Sequence, residues 1–587
     1  MLRTLGALVL IPVGTLLLYL ALGRPEERAD FVVASDALAT LDPQRVSWLD
    51  EIQIANTLFE GLTRLSPENF QPEPAVALCW DVDADQRQYV FHLRPDARWS
   101  NGEPLTAEHF RFAWLRVLDP QVESQYAFLL FVVAGAEDYY RSRLNDEPGD
   151  DLPGERVGVA APDAQTLRVQ LANPCPYFLD LTAFPALAPL HPPTIERWAY
   201  RDGRVLRATQ HLWLRPEHIV SNGALKLARW DFRQRLLLHR NPFYWDADAI
   251  EIDTLEIFIT ADPSVALLGY ETGRLDLVGG LEPEVARVLY AQQRAGRRGD
   301  FHLSERFATE FYRINCRRPP LDNPDLRKAL ALAIDKPALC EHVLGLGEMP
   351  ADTYVPRGTL RHMPRSDRAG RTIYYDPPAG LGAGLTYGQR VELARQYLHR
   401  SGFDRSAAQR PIEIAYASDP PQQRRVAEAI QAMWETALGI RVELRLQERT
   451  VLAARIRSLD YDVARSNWFG DFLDPAAFLD MFTSTSGQNR TGWAHARYDE
   501  LIASAAREAD NVRRLALLRE AERILCEEEL PIIPLFFRTG NFLLKPRFAG
   551  LRDNPREILP IHRVRLRDRA PDARTGPGMQ AACCRRG

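Results

Sequence analysis

Histidines and cysteines are the residues of this chain with the widest range of chemistry, and neither type falls into a catalytic or metal-binding pattern. The twelve histidines are dispersed, and the seven cysteines form no CxxC pair. The sequence contains no GxxxxGK(S/T) phosphate loop, no GxSxG nucleophile elbow, no HExxH zinc helix and no GxGxxG fingerprint. We therefore expect a protein that is not an enzyme and that has no metal or cofactor site.

The elements that must position any binding residues begin with a lobe in the first third of the chain. Apolar and polar residues alternate at 88–94 and 166–171, which predicts two half-buried strands. Thr106 is a good N-cap for a helix between them. The proline-rich stretch 173–193 predicts a crossing loop. Together these segments indicate one compact lobe of roughly 130 residues.

A second α/β lobe is indicated later in the chain. The pattern at 412–416 predicts a strand, the helical spacing of apolar residues at 426–438 predicts a helix that ends at Gly439, and the alternation at 440–446 predicts a returning strand. This βαβ unit implies a parallel pair of strands. A further helix is predicted to open after 322–324 (Asp-Asn-Pro).

Length and composition limit the class of protein. A chain of 587 residues exceeds the roughly 250 to 300 residues of a single core, so we expect two or three lobes. The hydrophobic content of 46% and charged content of 26% are those of a folded globular protein. The net charge of -5 comes from basic and acidic residues that are mixed along the chain, which argues against a nucleic-acid partner.

An uncharged apolar run from Leu5 to Leu22 is a membrane-targeting segment. Arg3 precedes it and a slight negative charge follows, which predicts that the N-terminus stays inside and the rest is exported. Ala21-Leu22-Gly23 fits a cleavage site, so a removed signal peptide competes with an uncleaved anchor. No cysteine precedes Cys79, which excludes a lipid-modified cysteine anchor.

The cysteines define no disulfide framework, because they are scattered and odd in number. We expect the first five to be small buried hydrophobic residues, with one bridged pair as the alternative in an oxidising compartment. Cys583 and Cys584 lie in a polar tail that we expect to be disordered. The full set is Cys79, Cys175, Cys316, Cys340, Cys526, Cys583 and Cys584.

Several blocks of sequence together resemble a known family. They are NTLFEGL (56–62), FHLRPDARWSNGEPLTAEHF (91–110), SNGALKL (221–227), RNPFYWD (240–246), FYRINCRRPPLDNPDLRKALALAID (311–335) and RSNWFGDFLDP (465–475). The chain resembles the family 5 extracellular solute-binding proteins, and among them the oligopeptide-binding proteins. The agreement runs in order from about Asp30 to about Arg565.

The resemblance implies an α/β protein with a two-lobed, periplasmic-binding-protein type II-like fold and an extra third domain, hinged around a central ligand cleft. The implied parts are 1–30 as the membrane segment, 31–60, 191–300 and 538–570 as lobe I, 61–190 as the extra domain, 301–537 as lobe II and 571–587 as a disordered tail. The lobes would close over an extended peptide.

The resemblance also implies partners and a location. The chain would be a monomer that delivers short peptides to two ABC permease subunits, which work with two cytoplasmic ATPase subunits. It would lie in the periplasm, either attached to the inner membrane through residues 5–22 or soluble if that segment is removed.

Five residues match positions that bind the peptide in the family. Asp471 would pair with the ammonium group of the peptide, and Arg465 would meet the carboxylate of shorter peptides. Trp468 would flank the peptide, while Tyr126 and Leu49 would contact it from the extra domain and from lobe I. The competing interpretations are a turn or helix-cap role for Asp471, an interlobe salt bridge for Arg465 and core packing for Trp468.

One departure from the family lies near the cleft. Phe536-Phe537-Arg538 stands where relatives often have consecutive tyrosines, which removes hydroxyl groups and adds a charge. The alternatives to a peptide importer are the same fold binding a nickel chelate, a haem, an oligosaccharide or a murein peptide, or a membrane-anchored ectodomain that senses a ligand. Asp471 favours a ligand with a free amine.

Overall fold

The computed structural model describes residues 28–144, 151–202, 205–208, 212–367, 369–403, 410–417, 422–552 and 554–567. The predicted membrane segment, the C-terminal tail and the last two cysteines lie outside the described residues. Within the described ranges, no helix is both long enough and apolar enough to cross a membrane.

The strands follow in chain order. They are β1 (Phe31–Ser35), β2 (Thr63–Leu65), β3 (Pro72–Pro74), β4 (Ala77–Val82), β5 (Gln88–Leu93), β6 (Val159–Asp163), β7 (Thr166–Gln170), β8 (Ala199–Asp202), β9 (Val205–Ala208), β10 (Leu225–Asp231), β11 (Arg235–Arg240), β12 (Thr254–Ile259), β13 (Leu277–Gly279), β14 (Phe301–Ile314), β15 (Met349–Pro350), β16 (Arg365–Ser366), β17 (Thr372–Ile373), β18 (Ile412–Ala417), β19 (Val442–Gln447), β20 (Val463–Phe469), β21 (Ile532–Leu544), β22 (Phe548–Ala549) and β23 (Arg565–Leu566).

The α-helices are interspersed among these strands. They are α1 (Leu49–Leu58), α2 (Ala107–Val117), α3 (Ala136–Ser142), α4 (Phe178–Leu181), α5 (Pro192–Trp198), α6 (Pro263–Glu271), α7 (Pro283–Arg294), α8 (Pro324–Leu332), α9 (Lys336–Ala338), α10 (Tyr387–Arg400), α11 (Gln422–Leu438), α12 (Arg449–Arg457), α13 (Ala476–Leu479), α14 (Ala496–Arg507) and α15 (Asn511–Arg523). Short 3-10 and π segments supplement them.

An 11-stranded sheet runs through the molecule in the order β10-β11-β12-β1-β13-β21-β14-β20-β18-β19, with β15 paired to β21. One end is built from residues before position 280 and the other from residues after position 411. The long strands β14 and β21 lie between the two ends and pair antiparallel with each other. The two ends are therefore joined through two shared strands, and the lobe boundaries given above stay predictions.

The predicted first lobe contains a separate antiparallel sheet with the order β4-β5-β7-β6. Both predicted strands of this region are confirmed as β5 and β7, and the predicted helix is confirmed as α2 with Thr106 at its N-cap. The backbone NH of Thr106 donates to Nδ1 of His109, 3.1 Å away, which ties the first turn to its cap. On α2, Phe110 and Trp114 are fully buried.

The expectation of a crossing loop at 173–193 is wrong in part. This stretch contains α4, a 3-10 turn at Pro185–Leu187 and the start of α5. Proline is compatible with the first turn of a helix, where its missing NH has no partner to lose. Phe178 and Leu181 of α4 are buried in the core, so tertiary packing selects helical turns where composition indicated a loop.

The predicted βαβ unit is confirmed by β18, α11 and β19. Strands β18 and β19 pair in parallel from Ile412 opposite Val442. Gly439, which follows α11, has a φ of +65°, the left-handed conformation that ends many helices. Trp434 of α11 is fully buried and its indole NH donates to the carbonyl of Leu330 in α8, 2.9 Å away. The helix predicted after 322–324 is α8.

Cysteine burial agrees with the expectation only in part. Cys175, Cys340 and Cys526 are buried, but Cys79 and Cys316 are partly exposed. None of these five forms a disulfide with another described residue, so the alternative bridge is not present among them. Burial raises the pKa of Cys175 to about 12, which keeps that thiol protonated and chemically inert.

Candidate functional site

Asp471 lies in the bend that follows β20, and the residues after it hold the bend in place. The backbone NH of Leu473 donates to Oδ2 of Asp180, 2.8 Å away. Asp474 is fully buried, and its carboxylate accepts two hydrogen bonds from Arg514, at 2.7 and 2.9 Å, and one from Arg365, at 2.8 Å. These guanidinium groups hold the pKa of Asp474 at about 2 against the opposing effect of burial.

A second set of contacts reaches the same bend from the other side. The ring of Phe472 stacks on Tyr177 with centroids 4.1 Å apart. Arg556 donates to Oδ1 of Asp180, 2.8 Å away. Asp180 therefore connects Leu473 to Arg556, and the bend is fixed by residues that are far apart in the sequence. Such fixing preorganises the position of the neighbouring Asp471.

Asp471 itself is half-buried and, among the residues that the structure describes, accepts no hydrogen bond from a protein group. Burial raises the pKa of Asp471 to about 6, and the charge of Arg556 partly opposes that rise. Burial and the charge of Asp471 raise the pKa of Tyr126 to about 12, which places the phenol in the electrostatic neighbourhood of the carboxylate. The site therefore presents a carboxylate in need of a positive partner.

Asp471 and Trp468 both line a cavity of about 890 Å³. The indole NH of Trp468 donates to the carbonyl of Ala477, 2.7 Å away, which fixes the orientation of the ring. Phe472 and Tyr177 add aromatic walls, and Asp480 adds a second carboxylate. Apolar walls with a few polar groups are typical of small-molecule sites.

The structure does not bring the remaining predicted residues into this cavity. Leu49 is 39% exposed at the start of α1 and lines a separate cavity of about 270 Å³ together with Arg306 and Glu557. Arg465 lies on β20 and its Nε and Nη2 donate to the two carboxylate oxygens of Glu310 on β14. The ion pair of Arg465 thus joins neighbouring strands of one sheet, and the role of Arg465 at the carboxylate of a peptide stays a prediction.

The groups that sequence reasoning missed are the partners of these residues. Asp180 and Glu310 are separated from Leu473 and Arg465 by 293 and 155 positions. No local sequence pattern identifies such pairs, because the sequence around an acidic residue in a strand or short helix does not show which distant residue it contacts. Among the described residues, no group of three or more histidine, cysteine or acidic side chains could hold a metal ion.

Residues 71–490 match the family described as "Bacterial extracellular solute-binding proteins, family 5 Middle". The chain belongs to this family. It is 30% identical over 515 residues to the periplasmic oligopeptide-binding protein OppA of Escherichia coli, with 87% of each chain covered.

Solved structures of the family extend this similarity to the fold. The unliganded open form of the periplasmic murein tripeptide-binding protein MppA superposes with a TM-score of 0.74 at 27% identity, covering 92% of this chain and 98% of that one. OppA of Haemophilus influenzae in complex with the peptide RPPGFSPFR gives a TM-score of 0.70 at 28% identity, covering 92% and 100%. The fold is therefore the type II-like α/β fold with an extra domain.

Proposed function

We propose that this solute-binding protein is the extracytoplasmic component of an ABC importer that captures short peptides and has no catalytic activity. The observation that carries the proposal is the half-buried carboxylate of Asp471, which has a raised pKa and, within the described residues, no protein donor. The ammonium group of a peptide supplies the missing positive partner. Peptide binding by the E. coli and H. influenzae relatives, as their names state, supports the same ligand class.

In this proposal the ligand is held by its termini and main chain. The ammonium group binds Asp471 and the first residue of the peptide lies against Trp468, both of which line the cavity. Tyr126, whose pKa the charge of Asp471 helps to raise, contacts the peptide from the extra domain. The backbone beside Leu49 borders the peptide from the other face of the cleft. Extended peptides pair with strand edges through amide groups that all sequences share, so this mode accepts many side chains.

The proposed partners and location follow from the family. The monomeric protein delivers its ligand to two membrane permease subunits that are driven by two ATPase subunits. It lies in the periplasm and stays at the inner membrane through residues 5–22, which belong to the N-terminal part outside the described residues. Lobe I, the extra domain and lobe II retain the boundaries given in the sequence analysis, with the ligand enclosed between them.

Calorimetry with Asp471→Asn tests the proposal. The variant leaves a desolvated ammonium facing a neutral amide, so affinity for unmodified peptides falls by about 2 to 5 kcal/mol, on the order of thirty- to several-thousand-fold. We expect N-acetylated peptides to bind the natural protein as weakly as unmodified peptides bind the Asp471→Asn variant. Asp460→Asn is the matched control, because Asp460 is 59% exposed and pairs with Arg455 away from the cavity. Normal binding of acetylated peptides by the natural protein contradicts the ammonium contact.

A murein peptide is the second candidate ligand, favoured by the fold similarity to MppA. Native mass spectrometry of the purified protein separates the two possibilities, since co-purified ligands composed only of standard amino acids differ in mass from those with cell-wall components. Steady cleavage of an added peptide mixture above a buffer control contradicts the non-catalytic role.

A further inference from the structure

A group of arginines surrounds an exposed aromatic ring on the face of β20 that carries Arg465. Side chains two and four positions apart on a strand share one face, so Arg465 and Phe469 point to the same side of the sheet. Phe469 is 44% exposed. The guanidinium carbons of Arg538 and Arg306 lie 5.5 and 5.9 Å from the centroid of its ring. Guanidinium groups at this range interact favourably with an aromatic face.

The two arginines beside Glu310 differ in how their donors are used. Arg465 binds both oxygens of the Glu310 carboxylate in a bidentate pair. Arg538 donates from Nη1 to Oε2 of Glu310, 2.9 Å away, and this is its one hydrogen bond to a described residue. A guanidinium has five NH groups, so Arg538 retains most of its donors. Its side chain is 18% exposed, which leaves these donors within reach of a bound molecule.

The charges around Phe469 are not balanced by the carboxylates bonded to them. Glu310 is shared by Arg465 and Arg538, and Glu557 pairs with Arg306, so three guanidinium groups share two carboxylates. Glu348 also lies within electrostatic range of Arg538, but burial raises the pKa of Glu348 and its carboxylate accepts a hydrogen bond from the NH of Leu346. Burial, with the charges of Arg306 and Arg465, lowers the pKa of Arg538.

Arg306 connects this cluster to the space next to Leu49. Both residues line the cavity of about 270 Å³, together with Asn541 and Glu557. Because Arg306 also lies over the ring of Phe469, which precedes Asp471 by two residues, the cluster lies next to the bend that carries Asp471. A positive cluster beside this bend is placed to bind an anionic group of the ligand whose ammonium Asp471 holds in the proposed function.

We infer that Arg538, supported by Arg306 and the ring of Phe469, binds a carboxylate of the ligand, while Arg465 positions Glu310 and does not contact the ligand. The inference rests on the proposed peptide-binding function and narrows its substrate class. The ligands are peptides that place a carboxylate here, either the C-terminal group of a short peptide or the side chain of an acidic residue in a longer one. Arg538 thereby determines specificity.

The experiment measures the affinity of tri-, tetra- and penta-alanine as free acids and as C-terminal amides, and of the amides with glutamate or glutamine at each position in turn. For the natural protein, we expect the free acid of one peptide length to bind about ten- to hundredfold more tightly than its amide, or the amide with glutamate at one position to do so relative to its glutamine counterpart. Arg538→Gln removes this difference. Arg547→Gln is the matched control, because Arg547 follows the same strand and pairs with Asp276, and it retains the difference.

Arg538→Lys keeps the positive charge, so we expect it to retain part of the preference for the carboxylate. Thermal unfolding of every variant shows whether the fold is preserved. Arg465→Gln tests the positioning role, and it weakens the preference without abolishing it. If the natural protein binds acids and amides equally while Asp471→Asn still abolishes binding, the carboxylate site is overturned and the peptide function stands. If no alanine peptide binds to the natural protein in any form, the proposed function and this inference both fall.

Discussion

Asp471, the proposed ammonium ligand, differs in its surroundings from the structural aspartate three positions away. Asp474 has three donors from two arginines and a pKa of about 2, whereas Asp471 has a pKa of about 6 and, among the described residues, no donor. Burial acts on both, so the difference comes from the charged partners. A carboxylate left in this condition destabilises the unliganded protein and is relieved when a cation binds.

We therefore predict that Asp471→Asn stabilises the ligand-free protein at pH 7.5. The folded-state pKa of about 6 lies above the ordinary aspartate pKa of 3.8, so ionisation of Asp471 lowers the free energy of unfolding as the pH rises from about 4 to about 6. The variant gains about 1 to 3 kcal/mol at pH 7.5, and the gain disappears as the pH falls from about 6 to about 4. Urea unfolding of both proteins at several pH values measures it, and a gain that persists at pH 4 contradicts the titration of Asp471 as its cause.

At the scale of elements, the sequence predicted those helices and strands whose ends and periodicity depend on nearby residues. The βαβ unit of β18, α11 and β19 and the capped helix α2 follow from periodicity and end signals that lie within a few residues of each other. The helical turns inside 173–193 were not predicted from the sequence, because the packing of Phe178 and Leu181 overrides the proline-rich composition. The partners Glu310 and Asp180 could not be predicted, since the register of β14 against β20 is a tertiary property.

The end of β20 gives a test of how tightly this element holds the site. A Cβ added at Gly470 would lie 2.3 Å from ring atoms of Phe307 and 2.9 Å from the ring of Phe478, and both rings are buried. Gly470→Ala must therefore displace the bend that carries Asp471. We predict a loss of about 1 to 3 kcal/mol in the free energy of unfolding, together with weaker peptide binding.

The control for this variant is Gly388→Ala in the first turn of α10, where an added Cβ meets no atom within 4 Å. It should raise stability by up to about 1 kcal/mol and leave binding unchanged. Denaturant unfolding and calorimetry on both variants check the pair of expectations. Unchanged binding by a folded Gly470→Ala protein would show that the bend tolerates displacement.

At the scale of the whole molecule, some contacts connect helices and loops that flank the two ends of the large sheet. Glu284 of α7 pairs with Arg425 of α11 at 2.9 Å. The guanidinium of Arg449 in α12 lies 5.8 Å from the ring centroid of Trp48, which is 58% exposed. Contacts of this kind exist only in arrangements that bring the two ends together, so they bias the equilibrium between open and closed forms.

We predict that Glu284→Gln weakens ligand binding without touching the ligand. Both partners are substantially exposed, so the pair contributes at most about 1 kcal/mol, and affinity falls by no more than about fivefold. The effect should appear as faster ligand release and should shrink as salt is raised. Stopped-flow release measured at low and high salt checks this, with Glu392→Gln as the control, because it affects the exposed pair of Glu392 with Arg395. Equal release rates at low salt would contradict a contribution from this pair.

The pairing of β13 with β21 has a consequence for the order in which the protein is made. Leu277 of β13 lies opposite Leu544 of β21, so the strands made first remain without this neighbour until almost the whole chain has been synthesised. At roughly 5 to 20 residues per second, the ribosome needs roughly ten to fifty seconds to pass from Gly279 to Ile532. During that interval the growing chain exposes an unpaired strand edge that could join another chain. Folding of this part of the sheet is therefore completed only after β21 has been synthesised.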